Sequence, residues 1–346
     1  MKKRALFILN KESSEKIYGP EEIARINKYV DVISMPLSYE QVKENPEILS
    51  QCNIILSGWG GPCIDRWFIE NAPNLEAVFY GAGSIRGIVT PEFWKSGIPI
   101  TSSWAANAVP VAEYTMAQIV LCLKNTYSLH QLYTQEYPDK IVTSESKESV
   151  FHDMYKSRRA FGAYKTVVGI ISLGMIGRLV CNLLKNLDIE IVAYDPYIKV
   201  EEAKVLGVKL VALDELFKIS NVVSLHAPGL PETESMICGN HFELMMNGAS
   251  FINTARGAIV NETEMIEVLK KRKDITAVLD VTYPEPPEID SELFNMDNVF
   301  LTPHIAGSMD GECRRMGAYA VDELIRFLEG KELKYQINEK QFKTMA

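Results

Sequence analysis

Apolar and polar positions along the chain alternate as short apolar runs separated by amphipathic stretches. Short apolar runs bounded by Gly, Pro, Asn or Ser read as buried strands. Stretches with apolar positions three and four apart read as helices. From Arg4 to Thr101 the strands fall at Leu6–Leu9, Val30–Ser34, Asn53–Ser57, Leu75–Tyr80 and Ile98–Thr101, with helices at Glu21–Lys28, Tyr39–Asn45, Ile64–Asn71 and Pro91–Lys95. A long apolar helix over Val109–Leu132 follows and reads as a packing spine between domains. The polar stretch Gln135–Lys156 has no strong period and is either a surface excursion or part of a subunit contact. A second series places strands at Val167–Ile171, Ile191–Tyr194, Val208–Leu210, Val222–Leu225, Ser250–Asn253, Thr276–Leu279 and Val299–Leu301, then an amphipathic helix at Met309–Leu328 that ends at Gly330.

This rhythm predicts an α/β protein with parallel sheets covered by helices on both faces. Two series make two doubly wound domains with a cleft between them. The first series lacks a closing helix, so the last helix is expected to return to it. That gives a discontinuous domain of residues 1–106 plus 309–346 and a second of 107–308. In such sheets ligands bind outside the carboxyl ends of the strands.

One strand end carries a recognisable loop. Val167–Gly177 reads V-V-G-I-I-S-L-G-M-I-G, a strand that opens directly into a helix. A helix start there aims free N–H groups and a positive dipole end at a pyrophosphate. Gly174 and Gly177 fill the second and third glycine positions of the G-x-G-x-x-G fingerprint, and Ser172 stands in the first. Asp195, at the end of the next strand, is the acid that accepts from the adenosine ribose and repels a 2′-phosphate. This favours NAD over NADP, and Lys199 close downstream softens the preference. A ligand-free turn and a capping Asp195 before Pro196 are the ordinary alternative.

Three further strand ends carry chemistry: T-A-R-G (Thr254–Gly257), D-V-T-Y-P-E-P-P (Asp280–Pro287) and T-P-H-I-A-G (Thr302–Gly307). They share one sheet edge with the Gly174 loop, so Arg256, Glu285 and His304 are expected beside a nicotinamide. Hydride addition to a 2-keto acid needs a proton donor, and histidine titrates near neutrality. It needs a cation for the carboxylate and carbonyl, and an arginine fork binds both. A carboxylate beside a histidine holds its tautomer and favours the imidazolium. Each residue alone has an ordinary explanation: a surface ion pair, a turn residue or a strand-end hydrogen bonder. Their appearance together after a dinucleotide loop is what points to catalysis. His226, in S-L-H-A-P, reads as structural or cofactor-proximal.

Composition narrows the picture. A net charge of -9 argues against nucleic acid as a general partner. The six cysteines form no C-x-x-C pair and the five histidines no metal-ligand spacing, so no metal and a reducing cytoplasm are expected. No stretch reads as a membrane span, and the apolar run after Met1–Arg4 is too short for a signal segment.

Seven stretches together resemble the D-isomer-specific 2-hydroxyacid dehydrogenase family over nearly the whole chain. They are Y-G-A-G (Tyr80–Gly83), Ala105–Glu113, V-G-I-I-S-L-G-M-I-G-R (Val168–Arg178), S-L-H-A-P, N-T-A-R-G, A-V-L-D-V (Ala277–Val281) and T-P-H-I-A-G. The resemblance implies a Rossmann NAD-binding domain and a flavodoxin-like substrate domain. It implies a catalytic set falling on Arg256, Glu285 and His304. Cofactor contacts are implied at Met175, Ile176, Asp195, Pro228, Thr254 and Asp280, and carboxylate contacts from N–H groups around Ala82 and Gly83. A small 2-hydroxy or 2-keto acid substrate and a homodimer are implied as well. The chain departs from the family at Ser172 and at S-I-R-G-I after Gly83. It resembles no member with an added C-terminal regulatory domain. A dinucleotide-sensing, corepressor-like binding protein on the same fold is the alternative reading, and a catalytically dead scaffold a third. Trp59, Arg86 and Trp104 fall in strand-end loops of the first domain. There Arg86 is either a site for a second anionic group on the substrate or an ordinary surface cation.

Overall fold

A computed structural model describes residues 2–138, 146–157 and 160–344. The chain divides into two compact units, Met1–Val109 with Gly307–Ala346, and Pro110–Ala306.

The first unit holds β1 (Lys3–Ile8), β2 (Val30–Val32), β3 (Ile54–Ser57), β4 (Ala77–Tyr80) and β5 (Ile100–Ser102), all parallel, in the order β5-β4-β3-β1-β2. Alternate residues of one strand enter opposite cores, as the two-residue period of a strand requires. Leu6, Ile8, Ile55 and Val78 pack on one face, and Ala5, Phe7, Leu56 and Phe79 on the other. The helix Cys313–Leu328 returns to this unit and buries Met316, Ala320, Val321 and Leu324 in the second of these cores. Two elements escaped the sequence pattern. The helix Lys11–Ile17 follows β1, and β13 (Gln336–Ile337) adds an antiparallel edge to β5. Two residues are too few to show a period.

The second unit holds β6 (Tyr164–Ile171), β7 (Asp188–Tyr194), β8 (Lys209–Leu210), β9 (Val222–Leu225), β10 (Ser250–Asn253), β11 (Thr276–Leu279) and β12 (Val299–Leu301). All are parallel, in the order β12-β11-β10-β9-β6-β7-β8. β9, β10 and β11 are buried at every position, which is why they read as continuous apolar runs. The order of strands reverses between β6 and β9, the switch point at which such sheets bind ligands.

The long apolar helix spans Trp104–Leu123 rather than Val109–Leu132. It ends where Asn125 takes a left-handed conformation (φ 52), and a separate helix covers Thr126–Gln131. Asparagine tolerates that region better than most residues. By length and composition Trp104–Leu123 could cross a membrane, which the sequence reading overlooked; 56% of its apolar window is buried in the protein. Its first turns supply Ala106 to a core of the first unit, and its last supply Ile119, Cys122 and Leu123 to a core of the second. Of the polar stretch Gln135–Lys156, residues 139–145 lie outside the described residues, and Lys147–Ser157 is helical.

Candidate active site

At the switch point, β6 turns through Ser172 and Leu173 into the helix Met175–Leu184, with Gly174 as its N-cap. Gly177 is where the turn demands glycine, since a Cβ there would lie 2.1 Å from the Ser172 carbonyl oxygen. A Cβ on Gly174 would meet only the Ser172 hydroxyl, at 3.9 Å, so the approach to the helix start is open. Met175 is 41% exposed and Ile176 half-buried. The Asp195 carboxylate ties the loop down. It accepts from Leu173 N at 2.7 Å and from Tyr197 N at 2.8 Å. Its remaining lone pairs leave it able to accept a ribose hydroxyl as well.

Neighbouring strand ends complete this edge. After β9, His226 is 7% exposed, with Nε2 at 2.9 Å from Ser224 Oγ and Nδ1 buried without a hydrogen-bond partner among the described residues. Burial pushes its pKa down to about 3, so the ring is neutral. Pro228 is half-buried, and its carbonyl accepts from Thr233 Oγ1. After β10, the buried Thr254 hydroxyl lies 3.0 Å from Thr115 Oγ1. An open Gly174 cradle, free helix-start amides and an orphaned buried imidazole nitrogen on the adjoining strand end fit a dinucleotide.

Arg256 is presented by a clamp that the sequence reading missed. Buried Asn253 accepts from Ala255 N and donates to the Arg256 carbonyl. Gly229 makes room for the arginine, for a Cβ there would lie 3.0 Å from Arg256 Cγ. Gly257 packs against the Thr282 backbone, holding the arginine loop to the loop after β11 that carries Glu285. Glu285 Oε1 meets His304 Nδ1 at 2.5 Å, with both side chains partly exposed. His304 itself is held at φ 53. Its amide donates to the Asp280 carbonyl. The Asp280 carboxylate, 2% exposed, accepts from Thr302 Oγ1 at 2.6 Å, Ile305 N at 2.8 Å and Ala306 N at 2.9 Å. Asp280 thus braces the histidine loop from both sides. An N-x-x-R spacing and an acid ending the strand before a T-P-H turn were the available signals for Asn253 and Asp280.

In the first unit, the Ala82 carbonyl accepts from Ser102 Oγ and Ser103 N, and the Gly83 carbonyl accepts from Ser102 Oγ. Peptide planarity turns the next N–H the opposite way. The Gly83 and Ser84 amides therefore point away from these serines. Arg86 lies over the Phe342 ring, 5.3 Å from its centroid. Trp59 lines a cavity of about 250 Å³ with Lys16, Ser308 and Met309. Trp104 packs against the core that holds Ile100 and Phe93.

Comparison with known proteins places the chain. Residues 140–306 match the NAD-binding domain of the D-isomer-specific 2-hydroxyacid dehydrogenases. A glyoxylate reductase of Thermococcus litoralis is 30% identical over 272 residues, which cover 78% of this chain and 78% of that protein. A D-3-phosphoglycerate dehydrogenase of Archaeoglobus fulgidus is 29% identical over 80% of this chain, and the match spans about half (49%) of that relative's length. Among solved structures, apo D-mandelate dehydrogenase of Rhodotorula graminis superposes with a TM-score of 0.79 at 22% identity, covering 98% of each chain. The chain belongs to the D-isomer-specific 2-hydroxyacid dehydrogenase family. Its two parallel-sheet units are that family's fold, and NAD is the cofactor of the matched domain.

Proposed function

We propose that the protein reduces 2-oxo acids to D-2-hydroxy acids, and runs the reverse oxidation, with NAD(H). The observation that carries this reading is the Glu285–His304 pair braced by Asp280 beside the loop of Arg256. Bound NADH supplies the hydride. Arg256 binds the carboxylate and polarises the carbonyl. His304 gives its proton to the carbonyl oxygen as negative charge develops there. Glu285, on Nδ1, turns Nε2 toward the substrate. Asp195 holds the ribose, and the Gly83 and Ser84 amides offer donors to a carboxylate. The protein works as a homodimer in this reading, checked by light scattering on a sizing column. The corepressor-like alternative has no observation in its favour. A panel of 2-oxo acids assayed with NADH by nicotinamide absorbance is the direct test. Turnover of glyoxylate, hydroxypyruvate, phenylpyruvate or a close relative is expected, and no turnover on any of them would remove the dehydrogenase reading.

A further inference from the structure

Ser172 occupies a conformation that suits it poorly. At φ 76 it sits in the left-handed region, where a serine is strained and a glycine is not. Strain at a ligand-binding turn points to a use for the side chain. Its backbone is fully committed: the amide donates to the Tyr194 carbonyl, and the carbonyl packs against Gly177. Its hydroxyl has no hydrogen-bond partner among the described residues. It comes within 3.9 Å of the Cβ position of Gly174, over the exposed start of the helix Met175–Leu184.

The rest of the loop leaves a role for that hydroxyl. Between Ser172 and Gly177 no other side chain can donate a hydrogen bond. Met175 carries no charge. The first cation after the loop, Arg178, is already engaged, with Nε donating to the Leu173 carbonyl and Nη2 paired with Glu202. Asp195 is bound to the Leu173 amide and holds Ser172 in place from the next residue.

We propose that the Ser172 hydroxyl donates to the pyrophosphate of the bound dinucleotide, adding a side-chain donor to the backbone amides of the helix start. Here a strained serine supplies a polar contact in a position where glycine would only ease the turn. This inference rests on the NAD-binding domain and not on which acid is turned over.

Isothermal titration of the full chain with ADP-ribose and with adenosine, in the wild type, Ser172→Gly and Ser172→Ala, tests it. Both variants are expected to bind ADP-ribose about tenfold more weakly, the worth of one hydrogen bond to a charged group. Adenosine, which lacks the pyrophosphate, is expected to bind all three within about twofold. Thermal unfolding without ligand separates strain from binding: Ser172→Gly is expected to melt higher than the wild type while binding more weakly. The proposal is overturned if Ser172→Gly binds ADP-ribose as tightly as the wild type, or if adenosine affinity falls by the same factor. A wild type that binds no ADP-ribose overturns it together with the cofactor assignment.

Discussion

At the strand ends of the first unit, polar side chains fold back onto their own sheet. Ser57 Oγ donates to the Ile8 carbonyl, Tyr18 OH to the Ser57 carbonyl and Ser102 Oγ to the Ala82 carbonyl. In the second unit the inward-facing polar groups hold up other residues instead. Asp195 braces the glycine loop, Asn253 the arginine loop and Asp280 the histidine loop. Both units wind parallel strands with helices on two faces, yet one presents backbone amides and the other ionisable side chains. The difference teaches where chemistry enters such a fold. In each case an acceptor or donor on the strand end fixes the loop that follows, and at the arginine loop Arg256 joins in, with Nη1 donating to the Ala255 carbonyl.

The sharpest test removes the exposed partner. His304→Ala is expected to lower turnover by about 10²–10⁴-fold, the usual effect of losing a positioned proton-transfer group. NADH affinity, read by fluorescence titration, should stay nearly unchanged. Equal turnover in this variant would remove His304 from the mechanism. Removing the brace should act at one remove. Asp280→Ala leaves the Ile305 and Ala306 amides and the Thr302 hydroxyl without their acceptor. We expect a loss of about 1–3 kcal/mol of stability, the range for orphaning a buried donor. Turnover should fall with it, by less than in His304→Ala. Denaturant unfolding and steady-state kinetics on the same preparation check both. A stable variant with full turnover would show that the histidine loop holds itself.

Much of this contrast was legible in the sequence, for a physical reason. A strand buried on both faces writes its own apolar run, so β6, β9, β10 and β11 were placed within a few residues. The residues proposed for catalysis, Arg256, Glu285 and His304, lie three to six positions past such runs, so the strand ends alone pointed to them. The braces were harder. Which donor reaches a buried acceptor depends on neighbours far along the chain: Asp280 meets the amides of Ile305 and Ala306, and Thr254 meets Thr115. No local period carries that information. The stacking of Arg86 on Phe342 was out of reach for the same reason, because Phe342 lies near the other end of the chain. The extent of the Trp104–Leu123 helix was misread because apolar content continues past Asn125, where the backbone turns.

A pH experiment sharpens the comparison at β9, where the buried ring meets Ser224 of its own strand rather than a loop amide. His226 ordinarily titrates near 6.5, and burial pushes it down to about 3 in the fold. The folded value lies below the unfolded one, so the unfolded chain takes up the proton first. Its contribution to stability is complete above about pH 6.5 and is lost as pH falls toward 3. At pH 5 that loss amounts to about 2 kcal/mol. Urea unfolding of the wild type and His226→Asn between pH 7 and 4.5 should show a shallower slope in the variant. Parallel slopes would mean that the histidine is not held neutral in the fold.

The smallest effect is expected where the first unit carries its one conspicuous loop cation. Arg86 follows the Ala82–Gly83 turn, and its charge there would suit a phosphate or distal carboxylate on the substrate. The structure commits the side chain elsewhere, with the guanidinium over Phe342 and that ring packed in turn against Trp94 at 5.5 Å. An exposed cation–π contact of this kind contributes about 0.5–1 kcal/mol. Arg86→Ala should therefore cost about that much stability by denaturant unfolding. It should leave the ratio of kcat/KM for 3-phosphohydroxypyruvate over hydroxypyruvate within about twofold of the wild type, since losing a charge-assisted contact to phosphate would cost more than that. Phe342→Ala, which removes the ring and keeps the guanidinium, gives the converse. If the phosphorylated substrate gains on Phe342→Ala and loses on Arg86→Ala, the arginine does reach the substrate. The first unit would then bind through a charged side chain, as is proposed for the second, and the contrast between the two would close.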